Sequence, residues 1–200
     1  MNELEQKTWQ VQPGDALLII DVQNDFLPEG NLGVPHGDNI IQKLNKYLHI
    51  FTTHHLPIYA TRDWHPSQHC SFHSQGGNWP VHCVAGTYGA KFPSTLELPT
   101  STIIISKATM PEKDAYSGFQ YTNLNANLRS ASIHRLFIGG LATDYCVLNT
   151  VRDALNFSYH VYLLIDAIRA IDAKPGDGQR ALDEMKSLGA QFITLQKVAA

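Results

Sequence analysis

The sequence predicts an α/β chain built as a single doubly wound, mostly parallel sheet with helices on both faces. Two patterns carry that expectation. Six short aliphatic or β-branched runs, at residues 16–20, 57–60, 102–105, 136–138, 161–165 and 192–195, lack polar alternation, as strands covered on both faces do. Between them lie segments whose apolar residues recur every three or four positions, and strand, helix, strand in this order folds with right-handed crossovers. Composition agrees. A chain of 200 residues that is 44% hydrophobic and 16% charged has the apolar content for one buried core and is not written like a disordered one.

Taken in order, the first run stops at Asp21 and is followed by a helix opened by Asp38 as N-cap, with Ile40, Ile41, Leu44, Tyr47, Leu48 and Phe51 on its buried stripe. The second run leads into residues 66–101, rich in glycine and proline and without a period. Long irregular insertions in compact domains are usually functional. The fourth run enters a helix over 143–156 carrying Val147, Leu148, Val151, Ala154 and Leu155. The fifth is followed by one over 177–188, with Leu182, Met185 and Leu188 on one side and Gly189 as its stop. The whole chain, 1–200, reads as one domain with an insertion at about 63–101, and residues 1–14 read as a surface extension.

A net charge of -3 provides no electrostatic footprint for nucleic acid or an anionic membrane. The three cysteines, Cys70, Cys83 and Cys146, are odd in number and widely spaced, which fits a reducing compartment. With neither a basic-then-apolar leader nor an apolar run near the length of a membrane span, the expected location is cytoplasmic. A dinucleotide enzyme is disfavoured, because no glycine fingerprint follows the first run. A thiol-redox or metal-binding module without turnover is the rival of another class, and the C-x-x-C pair of redox modules is absent.

Three strand ends carry reactive groups. Asp21 emerges from Leu17-Leu18-Ile19-Ile20, and Lys107 from Ile103-Ile104-Ile105-Ser106, which reads as another central strand. Burial would raise the carboxyl pKa of Asp21 unless a cation stands close, and Lys107 could supply it. Cys146 falls in the first turn of the helix after Gly139-Gly140. There, free N–H groups and the dipole can lower a thiol's pKa and bind an oxyanion. Each residue alone has an ordinary reading as a strand-end charge or a small buried hydrophobe. Together at the ends of three strands of one sheet they compose a cysteine nucleophile, a base and a charge partner.

Ten histidines are present, four of them between His65 and His82. Asp63 and His65, one residue apart after a strand, project to one side, and His82 from the insertion completes an open oxygen–nitrogen–nitrogen site for a divalent ion such as zinc, manganese or iron. His69 is either a fourth ligand or a neighbour that orients the others. His54, His55, His73 and His160 read as ordinary surface or carbonyl-bonded histidines. Phe26, Trp79 and Tyr116 could enclose a planar substrate, against the plain alternative of core packing.

The segments Asp21-Val22-Gln23-Asn24-Asp25-Phe26, Thr61-Arg62-Asp63-Trp64-His65-Pro66, Trp79-Pro80-Val81-His82-Cys83, Tyr116-Ser117-Gly118-Phe119 and Gly140-Leu141-Ala142-Thr143-Asp144-Tyr145-Cys146-Val147 resemble the motifs of nicotinamidases, within the isochorismatase-like cysteine hydrolases. The resemblance runs over residues 16–195 in the family's order. It implies the isochorismatase-like hydrolase fold and hydrolysis of nicotinamide, with pyrazinamide as a close analogue, in NAD salvage. Asp21 would deprotonate Cys146, Lys107 would hold the charges, and a thioester would form. Backbone N–H groups of Ala142 and Cys146 would bind the oxyanion, and the family's cis peptide would fall at Leu141-Ala142. Phe26, Trp79, Tyr116 and Leu141 would contact the substrate. One divalent ion, zinc first and iron or manganese as alternatives, would sit on Asp63, His65 and His82 and orient the pyridine ring. The partner implied is the small molecule nicotinamide, with a homo-oligomer left open. The nearest rival is a related amidohydrolase acting on another small amide, a carbamoyl or a ureido group.

Overall fold

The computed structural model describes residues 8–199, with Trp9–Gln10 as β1, Asp15–Ile20 as β2, Ile58–Asp63 as β3, Ile103–Lys107 as β4, Arg135–Leu141 as β5, His160–Arg169 as β6, Gln191–Ile193 as β7 and Val198–Ala199 as β8. The helices are α1 (Ile41–Thr53), α2 (Leu124–Ser130), α3 (Leu148–Asn156) and α4 (Asp177–Ser187). Six strands form one sheet in the order β4-β3-β2-β5-β6-β7, and every pair in it is parallel. The chain winds outward from β2 through β3 to β4, then crosses back to start again at β5. The switch point therefore lies between the carboxyl ends of β2 and β5, where folds of this kind bind ligands.

Strand alternation divides the core into two layers. Leu17, Ile19 and Phe137 face Leu44, Tyr47, Leu48 and Phe51 of α1. Ala16, Leu18, Ile20, Leu136 and Ile138 face the other way, against Leu128 of α2, Val151 of α3 and Met185 of α4. With apolar cover on both faces, a polar group at a strand's carboxyl end is the first one the chain can offer to a ligand.

Several sequence expectations need correction. Asp38 does not cap α1: a short 3₁₀ turn, Gly37–Ile40, leads into the helix from a left-handed His36, and no side-chain cap is made. Lys107 ends an edge strand rather than a central one, and Ile103 and Ile104 are 40% and 39% exposed. The helix expected over 143–156 begins as a π-helical turn, Thr143–Val147, before α3 takes over. Leu188 lies past the end of α4 and is exposed, whereas Met185 is buried. Part of the N-terminal extension is paired, since β1 runs parallel to β8 with Trp9 opposite Val198. The rest of it, residues 1–7, lies outside the described residues. α2, β1 and β8 were not anticipated. Among the described residues, no helix is long and apolar enough to cross a membrane.

Candidate active site

Asp21, the first residue beyond β2, has a positive φ of 47°, and its amide reaches Thr61 of β3. Left-handed backbone at a non-glycine residue costs about 1 kcal/mol or more and collects at functional sites. Cys83 and Ala108, next to His82 and Lys107, share that conformation. Thr61 Oγ1 donates to Asp21 Oδ1 at 2.6 Å. Asp21 Oδ2 takes no aligned hydrogen bond and instead lies 3.0 Å from Lys107 Nζ as an ion pair.

Lys107 and Asp63 are register partners at the ends of β4 and β3. The fully enclosed ammonium spends its three protons on Asp63 Oδ1 at 2.5 Å, the Ala115 carbonyl at 3.0 Å and Cys146 Sγ at 3.5 Å. A carboxylate oxygen of each aspartate lies within 4.8 Å of Cys146 Sγ. The place a cation would take among Asp21, Asp63 and Cys146 is thus filled by Lys107.

The electrostatics follow from burial. Burial opposes the Lys107 ammonium, but Asp21 and Asp63 outweigh it and hold its pKa well above the usual lysine value. Burial raises the Asp21 carboxyl, more than the Lys107 charge lowers it. At Asp63 burial pushes upward too, but Lys107 and His65 win and the carboxyl stays ionised. Burial also pushes the Cys146 thiol well up, against Lys107. Burial thus opposes at Cys146 the lowering expected of the helix terminus and of Lys107.

Cys146 sits in the π-helical turn. The Ala142 carbonyl accepts from Tyr145 N and Val147 N, each at 3.1 Å, so the turn closes around Cys146 without drawing its amide to that carbonyl. π turns often mark functional sites for such reasons. The Leu141-Ala142 peptide is cis, and Gly140 holds a φ of 127°. A Cβ at Gly140 would lie 2.1 Å from the Ile20 carbonyl oxygen, so this approach of β5 to β2 requires glycine.

His65 and His82 are brought side by side by a parallel bridge between His65 and Val84, with His65 N donating to the Cys83 carbonyl at 3.0 Å. Asp25 Oδ2 fixes the same loop by accepting Cys83 N at 2.7 Å. In each histidine Nδ1 faces a backbone carbonyl, Ala108 O at 3.3 Å for His65 and Pro80 O at 2.8 Å for His82. Donation from Nδ1 leaves the lone pair on Nε2. His65 Nε2 is buried with no hydrogen-bond partner and stands 3.7 Å from Asp63 Oδ2. Ligand atoms of Asp63, His65 and His82 lie within 4.8 Å of one another. A carboxylate and two imidazole lone pairs, one of them on an orphaned buried nitrogen, fit a borderline divalent ion.

His69 stands outside that donor set. Its ring lies 4.2 Å from that of His65, and its nitrogens face Ser71 Oγ at 2.8 Å and the Lys113 carbonyl at 3.1 Å. His73 faces a carbonyl, that of Gly77.

Cys146, Asp63, His65 and His82 line one small cleft, together with Phe26, Trp79, Tyr116, Leu141 and Ala142. Trp79 Nε1 donates to Tyr116 Oη at 2.9 Å, and Tyr145 packs against both rings, 5.0 and 5.8 Å away. Asp21 and Lys107 lie behind the wall. Sequence reasoning missed several residues here. Gln23 and Tyr145 lie inside the quoted segments, and a buried amide two residues after Asp21 was a usable signal. Leu32 and Ile171 also line the cleft, with no local pattern to reveal them.

The isochorismatase domain family matches residues 15–197. A nicotinamidase of Escherichia coli (strain K12) is 36% identical over 204 residues, covering 92% of this chain and 96% of that protein. The crystal structure of a pyrazinamidase of Pyrococcus horikoshii in complex with zinc superposes with a TM-score of 0.88 at 50% identity, covering 92% of this chain and all of that one. PnC1 from L. infantum in complex with nicotinate superposes at 0.89 and 32% identity, covering 96% and 99%.

Proposed function

The chain belongs to the isochorismatase family, and from that premise we propose that it acts as a nicotinamidase, hydrolysing nicotinamide to nicotinate and ammonia in NAD salvage. The observation that carries the reading is one cleft lined both by a thiol, whose buried acid–base partners lie behind it, and by a three-donor metal constellation. The second reading is a related amidohydrolase acting on a carbamoyl or ureido group. The donor set of Asp63, His65 and His82 favours a substrate with a ring nitrogen to be held.

Asp63, His65 and His82 would hold one divalent ion, zinc by analogy with the pyrazinamidase. When bound, such an ion supplies a Lewis-acid contact for a heteroatom of the substrate. The chain's own groups do the rest. Asp21 takes the proton of the Cys146 thiol, and Lys107 keeps the adjacent negative charges tolerable. The thiolate adds to the amide carbon, and the N–H groups of Ala142 and Cys146 receive the oxyanion. Asp21 returns the proton to nitrogen, the C–N bond breaks, and ammonia leaves a thioester on Cys146. Water then adds with Asp21 as base, the C–S bond breaks, and nicotinate is released with the thiol restored. Phe26, Trp79, Tyr116 and Leu141 enclose the ring. Three free cysteines support a cytoplasmic setting.

Incubation of metal-analysed protein with nicotinamide tests this, with ammonia release as the readout and Cys146→Ala beside it. Release by the wild type and none by the variant is the expected result. Residual turnover above a few per cent in Cys146→Ala would refute the nucleophile. No release by folded, metal-loaded wild type would shift the reading to a carbamoyl or ureido substrate.

A further inference from the structure

We infer that Ile171 sets the size limit of the substrate cleft and that Asp144 is the positioning residue that holds it there. The inference rests on the nicotinamidase reading and adds the part of the chain that closes the apolar side of the pocket.

Ile171 lies between β6 and α4, in a stretch with no sheet or helix bonds of its own. Its neighbours 172–176 are exposed, yet Ile171 lines the cleft and packs against the core layer that contains Phe26 and Leu141. Something must hold the segment in. The Asp144 carboxylate does so with both oxygens, accepting Ile171 N at 3.0 Å and Asp172 N at 2.9 Å. Hydrogen bonds to an ionised acceptor are stronger than neutral ones. The far end is clamped as well: Asp172 Oδ1 accepts Gly178 N at 2.8 Å, and a Cβ at Gly178 would lie 2.6 Å from that of Ala170.

Asp144 belongs to the five-residue π-helical turn that carries Cys146. Wall and nucleophile are therefore positioned from one short element. A side chain facing the substrate from such a strap limits substituents on the ring without touching the reacting atoms. The Asp144 charge could also serve the helix terminus, and the test separates the two roles.

Wild type, Ile171→Ala, Asp144→Ala and Asp144→Asn are compared, as metal-loaded full chains, in kcat and KM for nicotinamide and for its derivatives bearing one ring methyl at each open position. Ile171→Ala should raise kcat/KM for at least one methyl derivative, relative to nicotinamide, by about tenfold or more, the range one methyl-sized change commands in a tight pocket. Asp144→Ala should shift the same derivative in the same direction and raise KM for nicotinamide while kcat holds. Asp144→Asn, which faces one amide with an NH₂ group, should do so partially, and it carries the tether test if Asp144→Ala fails to fold. Unchanged selectivity in Ile171→Ala overturns the wall. An equal fall of kcat on every substrate in the Asp144 variants, with selectivity unchanged, overturns the tether in favour of a charge effect. A wild type inactive on nicotinamide overturns the function and this inference together, whereas an active wild type with unmoved selectivity overturns the inference alone.

Discussion

Lys107 donates to Asp63 across 2.5 Å at the paired last residues of β4 and β3. The carboxylate proposed as a metal ligand is thereby also the counter-ion of the ammonium that touches the thiol. Parallel pairing in register places the two groups without any loop having to do so, and the proposed acid–base set and the proposed metal set are joined through one aspartate.

Lys107→Met should therefore disable more than one function. It leaves Asp21 and Asp63 buried without their cation, and breaking a buried pair in this way costs about 3–5 kcal/mol. Turnover should fall by at least about a hundredfold, as when a preorganised electrostatic partner is lost. Iodoacetamide labelling of Cys146 at neutral pH should slow as well, and a wild-type labelling rate would remove Lys107 from thiol activation.

The histidines separate in metal content. His82→Ala removes an imidazole whose Nδ1 is engaged by Pro80 O and whose Nε2 is left to a ligand, so stoichiometry after dialysis should drop below half of wild type. His69→Ala should keep stoichiometry near wild type, because both of its ring nitrogens are taken up by Ser71 and Lys113. Loss of a neighbour packed on a ligand can still weaken affinity by about tenfold. Equal metal loss in the two variants would make His69 a ligand.

Gln23 tests how Asp63 is held. Its Oε1 accepts Asp63 N at 2.7 Å, while Nε2 donates to the carbonyls of Asp63 at 2.8 Å and Ala90 at 3.0 Å. Gln23→Leu strands these buried groups, each at about 1–3 kcal/mol. Both the urea midpoint and metal affinity should fall. A lowered midpoint with unchanged affinity would confine Gln23 to the fold.

The sheet and the reactive strand ends were legible because an ionisable residue after an aliphatic run, as at Asp21 and Lys107, has few other places to go. That Asp63 and His65 come together was legible from their alternate spacing. What stayed hidden depends on the path of the chain in space. Whether β4 is central or at the edge is decided by where the chain reverses, which local pattern does not encode. The seven residues of α2 and the two-residue β1 and β8 are too short to show a period. The balance at Cys146 was only half legible, because helix-end electrostatics can be read from sequence position, whereas the burial that opposes them cannot. His69 was ambiguous for a related reason: only the fold shows that Ser71 and the Lys113 carbonyl occupy its two ring nitrogens.

A last prediction concerns the fold's response to alkali. Tyr47 of α1 is buried and donates to Asp166 Oδ1 at 2.9 Å. Burial, then the Asp166 bond and charge, raise its pKa above the ordinary tyrosine value. A group whose folded pKa exceeds its unfolded one stabilises the fold fully below the unfolded value, near 10 for tyrosine, and loses that contribution as pH rises toward the folded value. Wild type should therefore show a falling urea midpoint above about pH 10. Tyr47→Phe should be less stable at pH 7, by about 1 kcal/mol for the lost hydrogen bond, and should fall less steeply above pH 10. The two curves must converge as pH rises. Parallel curves would mean that the Tyr47 hydroxyl does not govern the alkaline limb.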